Sequence, residues 1–235
     1  MFVSGSSASG SRAVKALAAL TVFGFAASSA SAAVLAVDFG STTNVSTETG
    51  FQPFGVVEAG APGPVSQSFA VADPSVTSGS ITVTLANGSS IAGTGVLLAR
   101  NRGAPADSGA FTYGELYRDL AIANPSNTTL QLQLAGLNPS TQYDVTLYAY
   151  DPNNGGTVTL TDVTTGAPGT VQSYTYAAGS VTANEQYGRT FRVTSTVDGT
   201  AAFTSTTNFN SSQGLLNGFQ ISAVPEPASA AVVGV

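Results

Sequence analysis

Five side chains capable of contacting a ligand lie close together in a chain that is otherwise poor in charge. They are Arg100, Arg102, Tyr113, Arg118 and Asp119. Charged residues make up only 9% of the sequence, so this concentration predicts a site. An aromatic face, forked guanidinium donors and a carboxylate acceptor together suit the hydroxyl groups of a sugar. The alternative is structural, in that Arg100 and Arg118 pair with Asp107 or Asp119 and hold a long loop in place.

A second cluster carries oxygen atoms that suit calcium. The run Asp151-Pro152-Asn153-Asn154-Gly155 places one carboxylate and two amides in a tight turn, and calcium prefers such ligands. We therefore predict a metal site at Asp151, Asn153 and Asn154. The same residue types are common in turns that bind nothing, so a purely structural turn stays open. Asp38 is likewise either a calcium ligand or a buried turn-forming residue.

Paired carboxylates would supply a third chemistry, the acid and base of a glycoside hydrolase. The candidates are Glu48, Glu58, Glu115 and Glu185. The chain has no histidine and no cysteine, which excludes a Ser-His-Asp triad, thiol catalysis and a cysteine zinc site. We predict a non-enzymatic protein with no cofactor other than a structural calcium. A secreted hydrolase acting on polysaccharide is the alternative.

The first 32 residues have the pattern of a secretory signal peptide. Arg12 and Lys15 precede an apolar run over residues 16–27, and Ala30-Ser31-Ala32 supplies the small residues of a cleavage site. A membrane span needs about 20 apolar residues, so the run is too short for one. We predict cleavage after Ala32 and an exported protein at the cell surface or outside the cell.

The charge that remains after this cleavage excludes two classes of partner. Loss of Arg12 and Lys15 lowers the formal net charge from −6 to −8 and leaves five arginines and no lysine. Nucleic acids and anionic lipid headgroups are bound by basic surfaces. The sequence therefore predicts neither as a partner.

Short segments of alternating polarity predict an all-β fold between residues 33 and 223. The first segment is almost continuously apolar. In the others apolar residues recur at every second position, as in a strand with one buried face. The segments are 34–39, 80–86, 129–134, 143–150, 157–162, 190–197 and 217–223. About ten strands at such spacing indicate a single β-sandwich or jelly roll.

Turn residues divide these segments. Asp198-Gly199 lies between two strand-like runs and is a strong signal of a tight two-residue hairpin. Asn87-Gly88 is expected to turn the chain toward residues 89–98. Only the segment from Tyr113 to Ala121 has a pattern that suits a short helix.

The end of the sequence carries its most specific motif. Val224-Pro225-Glu226-Pro227-Ala228-Ser229 is followed by an apolar stretch to Val235, and this resembles the start of a PEP-CTERM sorting signal. The resemblance implies that residues 224–235 are recognised by the membrane transpeptidase exosortase, with Pro225, Glu226 and Pro227 as the sorting motif. Members of that family continue into a membrane helix and an arginine cluster, so the signal as it stands is incomplete. Proline fixes φ and ends strand pairing, which suits an extended segment presented to an enzyme.

The body of the sequence, over most of residues 33–223, resembles galactose-binding-like jelly-roll domains, a group that includes carbohydrate-binding modules. The matching segments are 37–40 (VDFG), 137–148 (LNPSTQYDVTLY) and 216–221 (LNGFQI). This resemblance implies a surface or matrix protein that contacts extracellular polysaccharide. The sequence leaves the sugar unnamed.

Overall fold

The described residues fold into strands joined by turns and loops. The computed structural model describes residues 33–43, 46–124, 128–179, 181–208 and 212–225, and these contain fifteen strands. The predicted leader, 1–32, lies outside them, as do Glu226 and Pro227 of the sorting motif. No helix long enough and apolar enough to cross a membrane occurs within the described ranges.

The first sheet has five strands. They run in the order β12 (Gly188–Thr194), β9 (Gln142–Tyr148), β15 (Gly218–Ala223), β1 (Leu35–Ser41) and β2 (Gln52–Val56). Every pair is antiparallel except β1 and β2, which are parallel. The inward side chains of the central strands alternate with outward polar ones, as the sequence predicts for 143–150 and 217–223.

The second sheet has six strands, all antiparallel. They are β11 (Val171–Tyr176), β10 (Gly156–Asp162), β13 (Thr200–Thr207), β8 (Leu130–Ala135), β5 (Ser80–Asn87) and β4 (Val65–Ala70), in that order. Hydroxyl pairs on its outward side join neighbouring edge strands, for example Thr159 to Ser173 at 2.9 Å and Ser68 to Thr82 at 2.8 Å. Its inward side presents valine, leucine and isoleucine.

A third sheet of four short strands packs beside the other two. It is ordered β14 (Leu215–Leu216), β7 (Asp119–Asn124), β6 (Val96–Asn101) and β3 (Ala61–Pro62). Strands β6 and β7 contact β1 of the five-stranded sheet and β5 of the six-stranded sheet. The buried amide of Asn217, between β14 and β15, donates to the Asp119 carbonyl at 2.7 Å and ties the third sheet to the first.

The hydrophobic core is one cluster of buried side chains contributed by all three sheets. Phe191 on β12 meets Phe203 on β13 with ring centroids 5.6 Å apart, while Phe39 contacts Phe54 and Phe219 within the first sheet. All five rings are no more than 1% exposed. The packing of the five-stranded sheet on the six-stranded sheet confirms the predicted fold class, an all-β β-sandwich of the jelly-roll type.

Two local predictions are wrong. Asp198-Gly199 makes a tight turn, but β12 before it and β13 after it belong to different sheets and do not pair as a hairpin. The segment from Tyr113 to Ala121 forms a turn and then β7, because Leu120 and Ala121 pair with β6 instead of continuing a helix. In each case the pairing partner is remote in sequence.

Candidate functional site

The long loop between β6 and β7, residues 102–118, is held at its base by a backbone hydrogen bond and an ion pair. The Arg102 N–H donates to the Arg118 carbonyl at 2.9 Å. The Arg102 guanidinium pairs with the buried Asp151 carboxylate at 3.0 Å. Across the loop, the Thr112 N–H donates to the Asn184 side chain at 2.6 Å. The loop is therefore fixed against two neighbouring loops at one end of the sandwich.

The predicted calcium turn has its carboxylate oxygens already occupied. Asp151 Oδ1 accepts from the Asn153 N–H at 2.9 Å, and Oδ2 accepts from Asn154 Nδ2 at 2.7 Å and from Arg102. This is the pattern of a self-capped turn. A calcium site at Asp151, Asn153 and Asn154 stays a prediction, and a cation there would have to displace the Arg102 guanidinium.

Tyrosine and phenylalanine rings fill the space beneath the loop. Tyr113 meets Phe51 and Tyr148 edge to face, with centroids 5.5 and 5.8 Å apart. Tyr117, deeper in the loop, contacts Tyr148 and Tyr150. Among the aromatic residues that the structure describes, Tyr113 alone is not buried. It therefore offers the accessible ring that a stacking sugar would need.

Polar side chains lie beside this ring on the outward side of the five-stranded sheet. Gln220 Nε2 lies 3.4 Å from the Tyr113 hydroxyl, and Tyr148 Oη lies 3.1 Å from both Glu185 carboxylate oxygens. Gln220 is paired in register with Thr146, and Thr146 with Thr190. We call this surface the Tyr113 face; its residues are Tyr113, Thr146, Glu185, Thr190 and Gln220.

The hydrogen-bond capacity of the Tyr113 face is incompletely used. Tyr148 Oη also lies 3.0 Å from Gln220 Oε1, so three acceptors share its single hydrogen. At least two of those acceptor oxygens can therefore take a hydrogen bond from a hydroxyl group at the surface. Burial raises the pKa of Tyr148, so its hydroxyl stays protonated.

A cavity of about 250 Å³ lies between β1, the loop that follows β1, and β2. Asp38, Gly40 and Ser46 line it. A Cβ placed on Gly40 would lie 3.3 Å from Asp119 Oδ2 and 3.9 Å from the Ser46 carbonyl oxygen. Asp119 is thus adjacent to the lining, and we call this group of four residues the acidic pocket.

The carboxylates of the acidic pocket are deeply buried and poorly paired. Asp38 and Asp119 are 1% and 0% exposed. Asp38 Oδ2 accepts from the Glu48 N–H at 2.8 Å, while Asp38 Oδ1 and both Asp119 oxygens have no hydrogen-bond partner in the described part of the chain. Burial raises the pKa of Asp38 to about 7, with the nearby Asp119 charge adding to the rise. Burial likewise raises the pKa of Asp119 to about 6, opposed by Arg118 and by the Ser41 amide, which is close but outside hydrogen-bond geometry.

The four glutamates proposed as a glycosidase pair are spread over different surroundings. Glu58 is exposed, and Glu185 lies at the Tyr113 face. Glu48 borders the acidic pocket through its bond to Asp38, and its oxygens accept from the Thr49 and Leu116 amides. Glu115 pairs with Arg118 at 3.0 Å and accepts from the Ser46 hydroxyl. These partners give each of the last two a structural explanation.

The five residues predicted to contact a sugar do not form one surface. Tyr113 lies on the Tyr113 face, Arg102 is bound to Asp151, and Arg118 to Glu115. Arg100 is exposed on β6, and Asp119 is fully buried at the acidic pocket. The suggested pairs of Arg100 and Arg118 with Asp107 or Asp119 are not among the ion pairs of the described residues, because Arg118 pairs with Glu115 and the cation beside Asp151 is Arg102.

Sequence reasoning missed Gln220 and gave Glu185 a different role. Gln220 lies between Phe219 and Ile221, both of which point into the core. This alternation places its amide on the outward side of the sheet, and that orientation could be predicted from the sequence. Its proximity to Tyr113 could not be predicted, because 107 residues separate them.

Comparison with known proteins adds little. No family model matches the chain, and no curated protein matches it either. Among solved structures it is similar to the carbohydrate-binding module TmCBM61 in complex with beta-1,4-galactotriose, at 12% identity and a TM-score of 0.29, over 54% of this chain and 81% of that chain. It is also similar to the carbohydrate-binding module CBM6cm-2 from Cellvibrio mixtus lichenase 5A in complex with cellotriose, at 16% identity and a TM-score of 0.27, over 54% and 91%. At TM-scores this low, neither likeness carries an argument about this chain.

Proposed function

We propose that this chain is an exported, non-catalytic β-sandwich module that binds extracellular polysaccharide through the Tyr113 face. The observation that carries the proposal is the half-buried ring of Tyr113 next to polar groups with free hydrogen-bond capacity. Apolar sugar faces stack on aromatic rings, while their hydroxyls need donors and acceptors placed around the ring. Glu185 and Gln220 supply acceptors, and Thr146 with Thr190 supply hydroxyls in the adjacent row.

The Tyr113 face is a shallow surface and not a deep channel, so it has room for one or a few sugar units. Thr146 and Thr190 bond to each other at 2.8 Å, and beyond them Arg192 and Asp144 form a two-bond ion pair at 2.8 and 2.9 Å. Shallow polar surfaces of this kind bind weakly per site, so polymers that repeat the same unit gain by avidity. We therefore expect measurable binding to polysaccharide and little to free monosaccharide.

Affinity electrophoresis of the purified protein in gels containing neutral or anionic polysaccharide tests this function. Tyr113→Ala removes the ring and is expected to raise the dissociation constant derived from gel mobility about tenfold, which is the scale of one aromatic contact. Tyr113→Phe keeps the ring and should keep most of the affinity. Thr190→Lys places a bulky cation on the face and is expected to reduce binding to a neutral polymer. Its matched control is Thr159→Lys, which disrupts an equivalent hydroxyl pair on the six-stranded sheet and should leave binding unchanged.

Two results would reject the Tyr113 face as the binding surface. One is an equal loss for Thr159→Lys and Thr190→Lys, and the other is full binding by Tyr113→Ala. Absence of retardation by every polysaccharide in the wild-type protein would reject polysaccharide binding altogether.

The non-catalytic part of the proposal is supported by the surroundings of the carboxylates. A polysaccharide hydrolase needs an acid and a base that reach the glycosidic oxygen and the anomeric carbon. Asp38 and Asp119 have the raised pKa values that suit an acid, but both are buried away from solvent. Release of reducing sugar that disappears in Asp119→Asn would favour the hydrolase alternative.

Export and sorting belong to the same proposal. Support comes from the signal-peptide pattern of residues 1–32 and from the Pro225-Glu226-Pro227 motif that follows β15. We expect the exported protein to begin at Ala33 when its first residues are sequenced. An N-terminus at Met1 in protein recovered outside the cytoplasm would contradict this.

A further inference from the structure

Glu185 is an exposed carboxylate on the Tyr113 face, and no cation in the described part of the chain forms an ion pair with it. Both of its oxygens lie 3.1 Å from Tyr148 Oη, and that hydroxyl has a single hydrogen to donate. A carboxylate can accept hydrogen bonds at about four positions. Most of the accepting capacity of Glu185 is therefore open to a ligand.

Both arginines of strand β12 already have partners. The Arg192 guanidinium forms two hydrogen bonds with the Asp144 carboxylate. The Arg189 guanidinium donates to the Gly188 carbonyl at 2.6 Å and lies 4.1 Å from the centre of the buried Tyr174 ring. The Tyr113 face thus carries a negative charge that neither arginine neutralises.

A third acceptor and an aromatic ring adjoin the carboxylate. Gln220 Oε1 lies 3.0 Å from Tyr148 Oη, so this oxygen and the two oxygens of Glu185 surround the same hydroxyl. The Tyr113 ring meets the Tyr148 ring edge to face, with centroids 5.8 Å apart. Burial raises the pKa of Tyr113, and the charge of nearby Glu185 adds to the rise. Acceptor oxygens and a partly accessible ring therefore meet at one place on the surface.

Gly188 leaves space beside this group of acceptors. A Cβ on Gly188 would lie 3.0 Å from Glu185 Oε2 and 3.0 Å from Tyr148 Cε1. Gly188 is not among the residues with a positive φ, so the backbone conformation does not require a glycine there. A side chain at this position would crowd the carboxylate and the tyrosine that shares its hydrogen with it. The glycine therefore keeps both groups together at the surface.

We propose that the Tyr113 face selects polysaccharides that contain an amino sugar with a free amine, whose ammonium group is bound by Glu185 and Gln220 beside the Tyr113 ring. This inference rests on the polysaccharide-binding function proposed above and names its class of sugar. An ammonium group donates three hydrogens and accepts none, which matches a group of three acceptors. Cations are also attracted to the faces of aromatic rings. A hydroxyl group donates only one hydrogen, and an anionic sugar would bring a like charge to Glu185, so neutral and acidic polymers match this surface less well.

Isothermal titration with two matched oligosaccharides tests the selection. One is a glucosamine oligomer with free amines, and the other is its fully N-acetylated counterpart, which has the same ring and linkage but no charge. The purified wild-type protein is expected to bind the free-amine oligomer about tenfold more tightly, because a hydrogen bond between two charged groups is roughly twice as strong as one between neutral groups. Glu185→Gln keeps an acceptor but removes the charge, so the two affinities should become nearly equal.

Asp198→Asn is the matched control, because it removes one negative charge from an exposed turn. Glu185 precedes the first residue of β12 and Asp198 follows the last, so the length of the strand places the two about 20 Å apart. At physiological ionic strength exposed charges are screened over about 8 Å. Asp198→Asn should therefore keep the tenfold preference.

Three results overturn the selection of a free amine. They are equal wild-type affinities for the two oligomers, a preference that Glu185→Gln retains, and an equal loss of preference in Asp198→Asn, which would indicate attraction by overall charge. Equal binding of both oligomers that Tyr113→Ala weakens would reject amine selection and leave the polysaccharide-binding function in place. No binding of either oligomer rejects the selection, whereas the proposed function fails only if the gels also show no retardation by any polysaccharide.

Discussion

Single buried polar residues in this protein fall into two groups, and the difference separates structural residues from candidate functional ones. Asn217 is 0% exposed, yet its amide donates to the Asp119 carbonyl and its oxygen accepts from the Tyr150 N–H at 2.6 Å. Ser205 similarly bonds to the Leu215 carbonyl at 2.7 Å. Asp38 and Asp119 are equally buried, yet Asp38 Oδ1 and both Asp119 oxygens have no such partner among the described residues. A satisfied buried group explains a fold, whereas an unsatisfied carboxylate needs another explanation.

Individual tyrosines show the same logic. The buried Tyr174 hydroxyl donates to backbone carbonyl oxygen at Ala149, and the Tyr187 carbonyl lies 3.0 Å from it. Burial raises the pKa of Tyr174 well above its usual value, so it acts as a neutral donor and not as a reactive group. Tyr113 differs because its ring is partly accessible and its hydroxyl is near Gln220. Accessibility, and not residue type, distinguishes the candidate ligand-binding tyrosine from the others.

At the scale of strands and turns, the connections that change sheets define the architecture. Gly199 lies between β12 and β13 with φ of +67°, and its carbonyl accepts from the Leu137 N–H at 3.0 Å. A Cβ at Gly199 would lie 2.1 Å from the Leu137 carbonyl oxygen. The turn is therefore packed against the β8–β9 connection, which also joins a strand of the six-stranded sheet to a strand of the five-stranded sheet.

Gly199→Ala is predicted to destabilise the protein by about 2–4 kcal/mol, because the new methyl group adds a backbone clash to the strain of a positive φ. Gly166→Ala is the matched control. Gly166 also has a positive φ, +80°, but its Cβ position meets no atom of the described residues within 4 Å, so only the conformational strain of about 1 kcal/mol is expected. Urea unfolding measures both values. Equal losses would show that the Leu137 contact contributes nothing.

The alternation of apolar and polar residues was sufficient to predict where the interior strands lie. It did not predict which strands pair with each other. The predicted segments 80–86, 129–134 and 157–162 agree with β5, β8 and β10 to within one residue at each end. Each has inward apolar residues at every second position, a local signal. Asp198-Gly199 also turns as predicted, but local residues do not specify whether the next strand stays in the same sheet. The helix predicted over 113–121 failed for the same reason, since pairing of Leu120 with Arg100 decided the outcome.

The candidate site was predictable only in part. Tyr113 was identified from its type and its polar surroundings in sequence. Its neighbours Glu185 and Gln220 come from distant segments that the fold brings together. Asp119 was identified as a ligand-binding residue, but its burial depends on β7 packing against β1. Sequence patterns specify which face of a strand a residue occupies, but not which other strand covers that face.

At the scale of the whole molecule, stability depends on the two main sheets packing as one unit. The core has no disulfide to assist it, because the chain has no cysteine. Contacts between sheets must therefore supply the cooperativity, and the Phe191–Phe203 pair is one such contact, with β12 in one sheet and β13 in the other. A chain of this size buries enough apolar surface to be stable without covalent links.

A double-mutant cycle between Phe191 and Phe203 measures this contact. Each Phe→Leu substitution is expected to lower the free energy of unfolding by about 1–2 kcal/mol through lost packing. The double variant should lose about 0.5–1.5 kcal/mol less unfolding free energy than the two single variants lose together, because the ring–ring contact is lost only once. The control cycle combines Phe191→Leu with Phe69→Leu, a buried residue on the far edge strand β4, and should be additive within about 0.5 kcal/mol. If both cycles are additive, the two rings do not couple the sheets. If Phe191→Leu separates the unfolding transition into two steps, the sheets unfold independently, and the sandwich is not one cooperative unit.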